Sequence, residues 1–388
     1  MQELNDCAEN RSARLRELAR CGDAAKVEAI LKTSPSAALA TGPRQETALA
    51  EAAKMGHAAC VRALLPHSDA NQANDVGMTA IMWAAYSGNA DCCRLLAPVS
   101  DCRKASPQGY VPLTWAATRG DIQMIEELLP YSDLEHKTSN GKSALACAAG
   151  AGKEKAVQRL LAQPGIAPLA VDDSGQTALM AAARHPACLE LLLPVSDACA
   201  LDGDGRGALA KALMAKSTPS ARILLPAIPP AQLLEGSGGA PSAFTIAGGL
   251  GLCEPIGLML EALPNSAMTK AAAAQALFAA IDRRRGHVVE QVVGMLDDLE
   301  NPSQAHALGL AALISKNSRA CQAIMGRMIE LSPLSFARIC SAAEQAAQER
   351  HPDQAALIRD LARVLAERQS IQSSSPALSA GASAPFRL

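Results

Sequence analysis

Aromatic side chains are scarce in this chain: 2 Trp, 3 Tyr and 4 Phe among 388 residues, or 2%. A β-sandwich fills its sheets with β-branched and aromatic side chains, so this scarcity argues against one. An excess of one charge is lacking too. Lys and Arg number 36 against 38 Asp and Glu, a net charge of −2. The basic surplus of a general nucleic-acid binder is therefore missing. No apolar run reaches the 18 or so residues of a membrane span. The most apolar stretch, 243–263, is broken by Gly249, Gly251, Glu254 and Pro255 and reads as two short helices. The first 18 residues hold no basic stretch followed by an apolar one, so no secretory signal is visible and a cytoplasmic chain is expected. No Cys-x-x-Cys occurs among the 12 cysteines, although Cys92 and Cys93 are adjacent and Cys102 is near. Zinc needs paired ligands at tetrahedral reach. Reduced thiols serving as small core side chains are expected instead, with no metal and no cofactor.

What is present is Ala and a period. Apolar residues make up 49%, a composition suited to closely packed helices with small contact residues. A block with a central apolar residue recurs at Leu49, Ile81, Leu113, Leu145, Leu179 and Leu209, at intervals of 32, 32, 32, 34 and 30. In most copies Thr or Ser precedes the apolar run, as at Thr47, Thr79, Ser143 and Thr177, and can cap a helix. A second block keeps phase: Leu64, Leu65 and Pro66, then Ser68 and Asp69, with the same order repeated up to Leu192, Leu193, Pro194, Ser196 and Asp197. Gly56, Gly88, Gly120 and Gly152 sit between the blocks. Each unit thus reads as a helix, a Gly turn, a second helix ended by Pro, and a polar hairpin loop turning at Gly77, Gly109, Gly141, Gly175 or Gly205.

This pattern resembles the ankyrin repeat family. The family's Thr-Pro-Leu-His-x-Ala signature stands here as Thr-Ala-Leu or Thr-Ala-Ile, with Pro kept at Pro112 and the His replaced. The resemblance implies an all-α ankyrin-repeat solenoid of helix-turn-helix-hairpin units. Residues 1–42 read as an N-terminal capping repeat and 43–229 as the repeats. Residues 230–369 keep a rhythm of helix pairs, open to two readings: degenerate repeats extending the solenoid, or a separate helical domain with an effector activity of its own. Residues 370–388, rich in Ser, Ala and Pro, are expected to be disordered.

Several motifs tempt and fail. Gly141, Lys142 and Ser143 resemble the end of a phosphate-binding loop, but position 136, where that loop needs Gly, is His136. Asp202 to Gly205 resembles part of a calcium loop, yet the twelfth residue from Asp202 is Leu213, where Glu is needed. No two of the seven histidines have metal-ligand spacing, and no nucleophile-base set can be drawn, so the chain is expected not to be an enzyme. Arg283 to Arg285, a dense basic run, reads as a helix end.

A solenoid offers a long concave surface to a protein partner. By the resemblance, its variable residues lie at the loop tips and on the first helix of each unit. Here those positions are Met78, Trp83 and Tyr86, then Tyr110, Trp115 and Arg119, then Lys142. The composition adds to this: both Trp and all three Tyr lie between Trp83 and Tyr131, and interface hot spots are enriched in Trp, Tyr and Arg. Trp83 and Trp115 occupy equivalent positions and are expected to stack side by side; the alternative is that each packs on its own loop. The expected function is a non-catalytic scaffold that binds a protein partner, with no nucleic acid and no membrane. The composition looks bacterial, and the resemblance allows a cytoplasmic adaptor or an effector translocated into a host cell.

Overall fold

The computed structural model describes residues 2–236, 239–263, 266–283, 285, 287–289 and 292. The chain divides into two units, 1–240 and from 241 onward. The expected helix pairs beyond residue 300 and the expected tail lie outside the described residues, as does most of the pair partner expected at 288–296.

Seven helix pairs build the first unit. They are α1 Gln2–Cys21 with α2 Ala24–Thr33, α3 Ala48–Met55 with α4 Ala58–Leu64, and α5 Ala80–Ser87 with α6 Ala90–Leu96. Next come α7 Pro112–Arg119 with α8 Ile122–Leu128, and α9 Ala144–Gly150 with α10 Glu154–Leu161. The last are α11 Ala178–Ala181 with α12 Pro186–Leu192, and α13 Ala208–Met214 with α14 Thr218–Leu224, followed by a short α15 Pro230–Leu234. The first helix of each pair packs on the first helix of its neighbours, and the second on the second, so two layers of helices run along the unit. Hairpin loops project beside the inner layer, and two of them close as single antiparallel bridges, Lys137 with Ser143 and Val171 with Thr177.

The periodic residues are the core. Leu49, Ile81, Leu113, Leu145 and Leu179 are fully buried, as are Val61, Leu64, Leu96, Ile125, Leu128, Val157, Leu160, Leu189 and Leu192 on the outer layer. Alanines such as Ala52, Ala84 and Ala116 are also fully buried and let neighbouring inner helices approach. Cys60, Cys92 and Cys93 are free, fully buried and part of the same core. Burial pushes the thiols of Cys92 and Cys102 up to about 11 and that of Cys93 higher still, so at neutral pH they are inert apolar groups.

The outer helices α4, α6, α8, α12 and α14 each end two residues before a Pro, and the chain tightens into one 3₁₀ turn containing Pro66, Pro98, Pro130, Pro194 or Pro226. Pro has no N–H to continue the α-ladder, which is why it marks this change. The Asp of each following Ser-Asp pair then accepts a hydrogen bond from the amide two residues on: Asp69 from Asn71, Asp101 from Arg103, Asp133 from Glu135 and Asp197 from Cys199. That repeated Asx turn explains the recurrent Asp.

Inner-helix caps follow the sequence only in part. Thr47, Ser143 and Thr177 accept from the amides of Ala50, Ala146 and Met180. The Thr79 hydroxyl instead is buried without a partner, and at Val111, which cannot cap, Thr114 Oγ1 accepts from the Val111 amide at 3.0 Å.

In the second unit, α16 Ala243–Leu250 and α17 Cys253–Glu261 form the expected pair, and α18 Ser266–Asp282 follows. α16 packs tightly on α18: Gly248 lies against the Ala276 carbonyl, where any side chain would collide with backbone.

Candidate functional site

The groove of the first unit is formed by inner helices and hairpins, and two devices hold its wall in register. The first is at the hairpins. Residues 74, 106, 138, 172 and 202 are Asn, Ser, Thr, Asp and Asp, all buried. Each accepts from the amide four residues on: Asn74 from Met78, Ser106 from Tyr110, Thr138 from Lys142, Asp172 from Gln176 and Asp202 from Arg206. The shared requirement is a short acceptor, which differing residue types satisfy. Successive hairpins are also tied by main-chain bonds: Asp75 to Arg44, Ser139 to Gln108, Asp173 to Asn140 and Gly203 to Ser174. Gly109 makes one such approach possible. Its φ is +75°, and a Cβ there would overlap the Ser139 amide.

The second device straps each inner helix to the next repeat. Asn89 Nδ2 donates to the carbonyls of Ala53 and Lys54 at 2.8 and 3.0 Å. His57 Nε2 bonds the Arg20 carbonyl at 3.0 Å and His185 Nε2 the Gly150 carbonyl at 3.2 Å. A carbonyl only accepts, so the proton lies on Nε2. Arg119 donates to the Tyr86 carbonyl at 3.1 Å. Helix C-termini leave carbonyls without partners, and these side chains supply them from the neighbouring unit. The strap passes over the turn glycine: Gly88, at φ +87°, leaves no room for a Cβ beneath the Arg119 guanidinium. In the second unit His287 Nε2 bonds the Gly251 carbonyl at 3.3 Å, so the same device recurs there.

On this frame the aromatic residues meet. Tyr110 stacks on Trp115, with centroids 4.3 Å apart and planes at 23°. Tyr86 touches both tryptophans edge-on, at 5.9 Å from Trp83 and 4.9 Å from Trp115. Lys54 Nζ lies 4.6 Å from the Trp83 ring. The expected side-by-side stack of Trp83 and Trp115 is not formed. Packed helices stand about 8–10 Å apart, too far for direct stacking, and Tyr86 fills the interval. Tyr86 is 49% exposed, while Trp83, Tyr110 and Trp115 are half-buried. Trp115 Nε1 is buried with no hydrogen-bond partner.

The other expected site residues separate by role. Met78 is buried, 8% exposed, and presents little to a partner. Arg119 spends its guanidinium on the strap described above. Lys142 is exposed and lines a groove depression of about 600 Å³ beyond Tyr110. Cys147, Met180, Arg184, Lys211 and Met214 line it too, and no sequence motif marks any of them. The repeat spacing held the signal: Cys147 and Lys211 are in phase with Trp115, and Arg184 and Met214 with Tyr86. The Asp202 to Gly205 segment is here a hairpin tip. Asp202 Oδ2 pairs with Lys211 Nζ at 2.6 Å. Burial raises the Asp202 pKa, but the Lys211 ammonium and the Arg206 and Asp204 amides outweigh it and hold the carboxyl below its usual range.

Among the described residues, no group of three or more His, Cys, Asp or Glu is placed to hold a metal ion, and no helix is long and apolar enough to cross a membrane.

The family model for ankyrin repeats in three copies matches residues 15–107 and 99–172. Residues 15–172 are ankyrin repeats. The ankyrin repeat domain of human ASB11 shares its fold, with a TM-score of 0.50 and 23% identity over 55% of this chain and 97% of that one. No curated protein matches the sequence. The ankyrin assignment explains the two-layer architecture and the projecting hairpins. The side chains on the groove are this chain's own.

Proposed function

We propose that the chain is a non-catalytic scaffold whose protein partner seats in the groove of the first unit, over Trp83, Tyr86, Tyr110 and Trp115. Ankyrin repeats are generally protein–protein interaction modules. The observation that carries the finer reading is the aromatic row itself: four linked rings on the groove face of a chain otherwise almost devoid of aromatics. Large rigid rings bury much area at low entropic cost, and Trp and Tyr dominate hot spots. The same reading serves an adaptor kept in the cytoplasm and an effector delivered to a host cell.

The test is affinity capture from lysate with the wild type and with Trp83→Ala/Trp115→Ala, the fold of each checked by circular dichroism. A partner retained by the wild type and lost by the folded variant supports the groove. A partner held equally by both sinks it. Hot-spot truncation of this kind costs about 2 kcal/mol or more.

A further inference from the structure

The groove changes chemistry along its length. The aromatic row occupies the helices α5 and α7 and the hairpin between them. Beyond Tyr110 the depression carries Lys142, Arg184 and Lys211 on its walls, with no Asp or Glu among its lining residues. Lys211 is already paired with Asp202. Lys142 and Arg184 are exposed, and neither has an ion-pair partner among the described residues. They belong to successive repeats, one on a hairpin and one at the end of the next inner helix. The floor beneath them is small or apolar: Gly150, Ala181, Cys147 and Met180. This leaves room for a chain to lie close.

We infer that the partner enters this groove as an extended acidic segment. One or two of its carboxylates meet Lys142 and Arg184, and its apolar side chains lie on Met180 and on the Tyr110–Trp115 stack. The inference rests on the reading of the groove as the partner-binding face. Two unpaired cations match a few carboxylates. They do not match a phosphate at every unit of a nucleic acid. Opposite charges across an interface chiefly set specificity and rate of encounter, so the signature to look for is a preference.

Selection of a displayed random dodecapeptide library on the full chain tests it. The expected result is binders rich in Asp and Glu beside apolar residues. Lys142→Glu/Arg184→Glu, a change confined to exposed side chains, should lower affinity for the best such peptide at least tenfold and turn a repeated selection toward Lys and Arg. Binding of that peptide to the wild type should weaken as NaCl rises from 50 to 500 mM, as screening requires. A selection without acidic bias, or a bias unchanged in the reversed variant, overturns the inference. So does a single-stranded oligonucleotide that outcompetes the peptides through the same two residues. Peptides lost with Trp83→Ala/Trp115→Ala but free of acidic bias would leave the groove reading standing while this inference falls. Peptides kept by that aromatic variant would remove the groove reading, and this inference with it.

Discussion

The ring of Tyr86 meets the ring of Trp115 edge-on, with centroids 4.9 Å apart and planes at 85°. These residues come from consecutive inner helices, so this contact, with the Tyr86–Trp83 contact, makes one continuous aromatic surface across two repeats. Edge-to-face pairs contribute about 0.5–1.5 kcal/mol beyond their burial. A double-mutant cycle of Tyr86→Ala and Trp115→Ala, read by denaturant unfolding, should return a coupling of that size. A coupling near zero would mean the rings are merely adjacent.

The straps should matter more than their exposure suggests. Asn89→Ala removes both hydrogen bonds to the end of α3 and should cost about 1–2 kcal/mol. Gly88→Ala should cost about as much, since it places a Cβ in the left-handed region and displaces Arg119. Thermal unfolding of the two variants checks both values.

Two non-glycine residues stand where left-handed backbone is required. Gln45 has φ 55° at the tip of the first hairpin, and Lys216 has φ 57° at the last repeat's helix turn. In either case Gly removes the clash of Cβ with its own carbonyl, worth about 1 kcal/mol. Gln45→Gly and Lys216→Gly should each raise stability by about that amount in urea titrations, with an unchanged m-value.

Asp202 ties a hairpin to its own inner helix through Lys211 and the Arg206 amide. Because its folded pKa is lowered, its contribution is fully present above the unfolded value of about 3.9 and is lost as pH falls through the folded value. Asp202→Ala should cost about 2 kcal/mol at pH 7. The gap between variant and wild type should close on acidification below about pH 4, as unfolding curves across pH 2–7 would show. A gap independent of pH would remove the charge from the account.

Residues repeated by type were legible in the sequence. Leu49 and its equivalents stand on one buried line, and Gly88 and Gly109 lie in the left-handed conformation that their turns demand. What escaped notice was repetition by role. Asn74, Ser106, Thr138, Asp172 and Asp202 do one job with four residue types. The straps use His57, Asn89 and Arg119, the last displaced to the other side of its turn glycine. Matching by identity sees none of this, whereas asking which side chain can accept or donate at a fixed offset would have found it. The aromatic cluster was visible as a concentration of Trp and Tyr, but its geometry was not. Equal positions in neighbouring repeats suggested direct stacking of Trp83 on Trp115, and the helix spacing gave that contact to Tyr86 instead. Cys147, Arg184 and Lys211 lacked any motif to draw attention, although the period already placed them along the same groove.

The central claim is that the partner covers the aromatic row. Hydrogen–deuterium exchange of the full chain, with and without a captured partner, tests it most directly. The account predicts slowed exchange in peptides spanning 79–88 and 106–120, with the outer helices α6 and α8 unchanged. Protection confined to those outer helices, or to residues after 240, would contradict it.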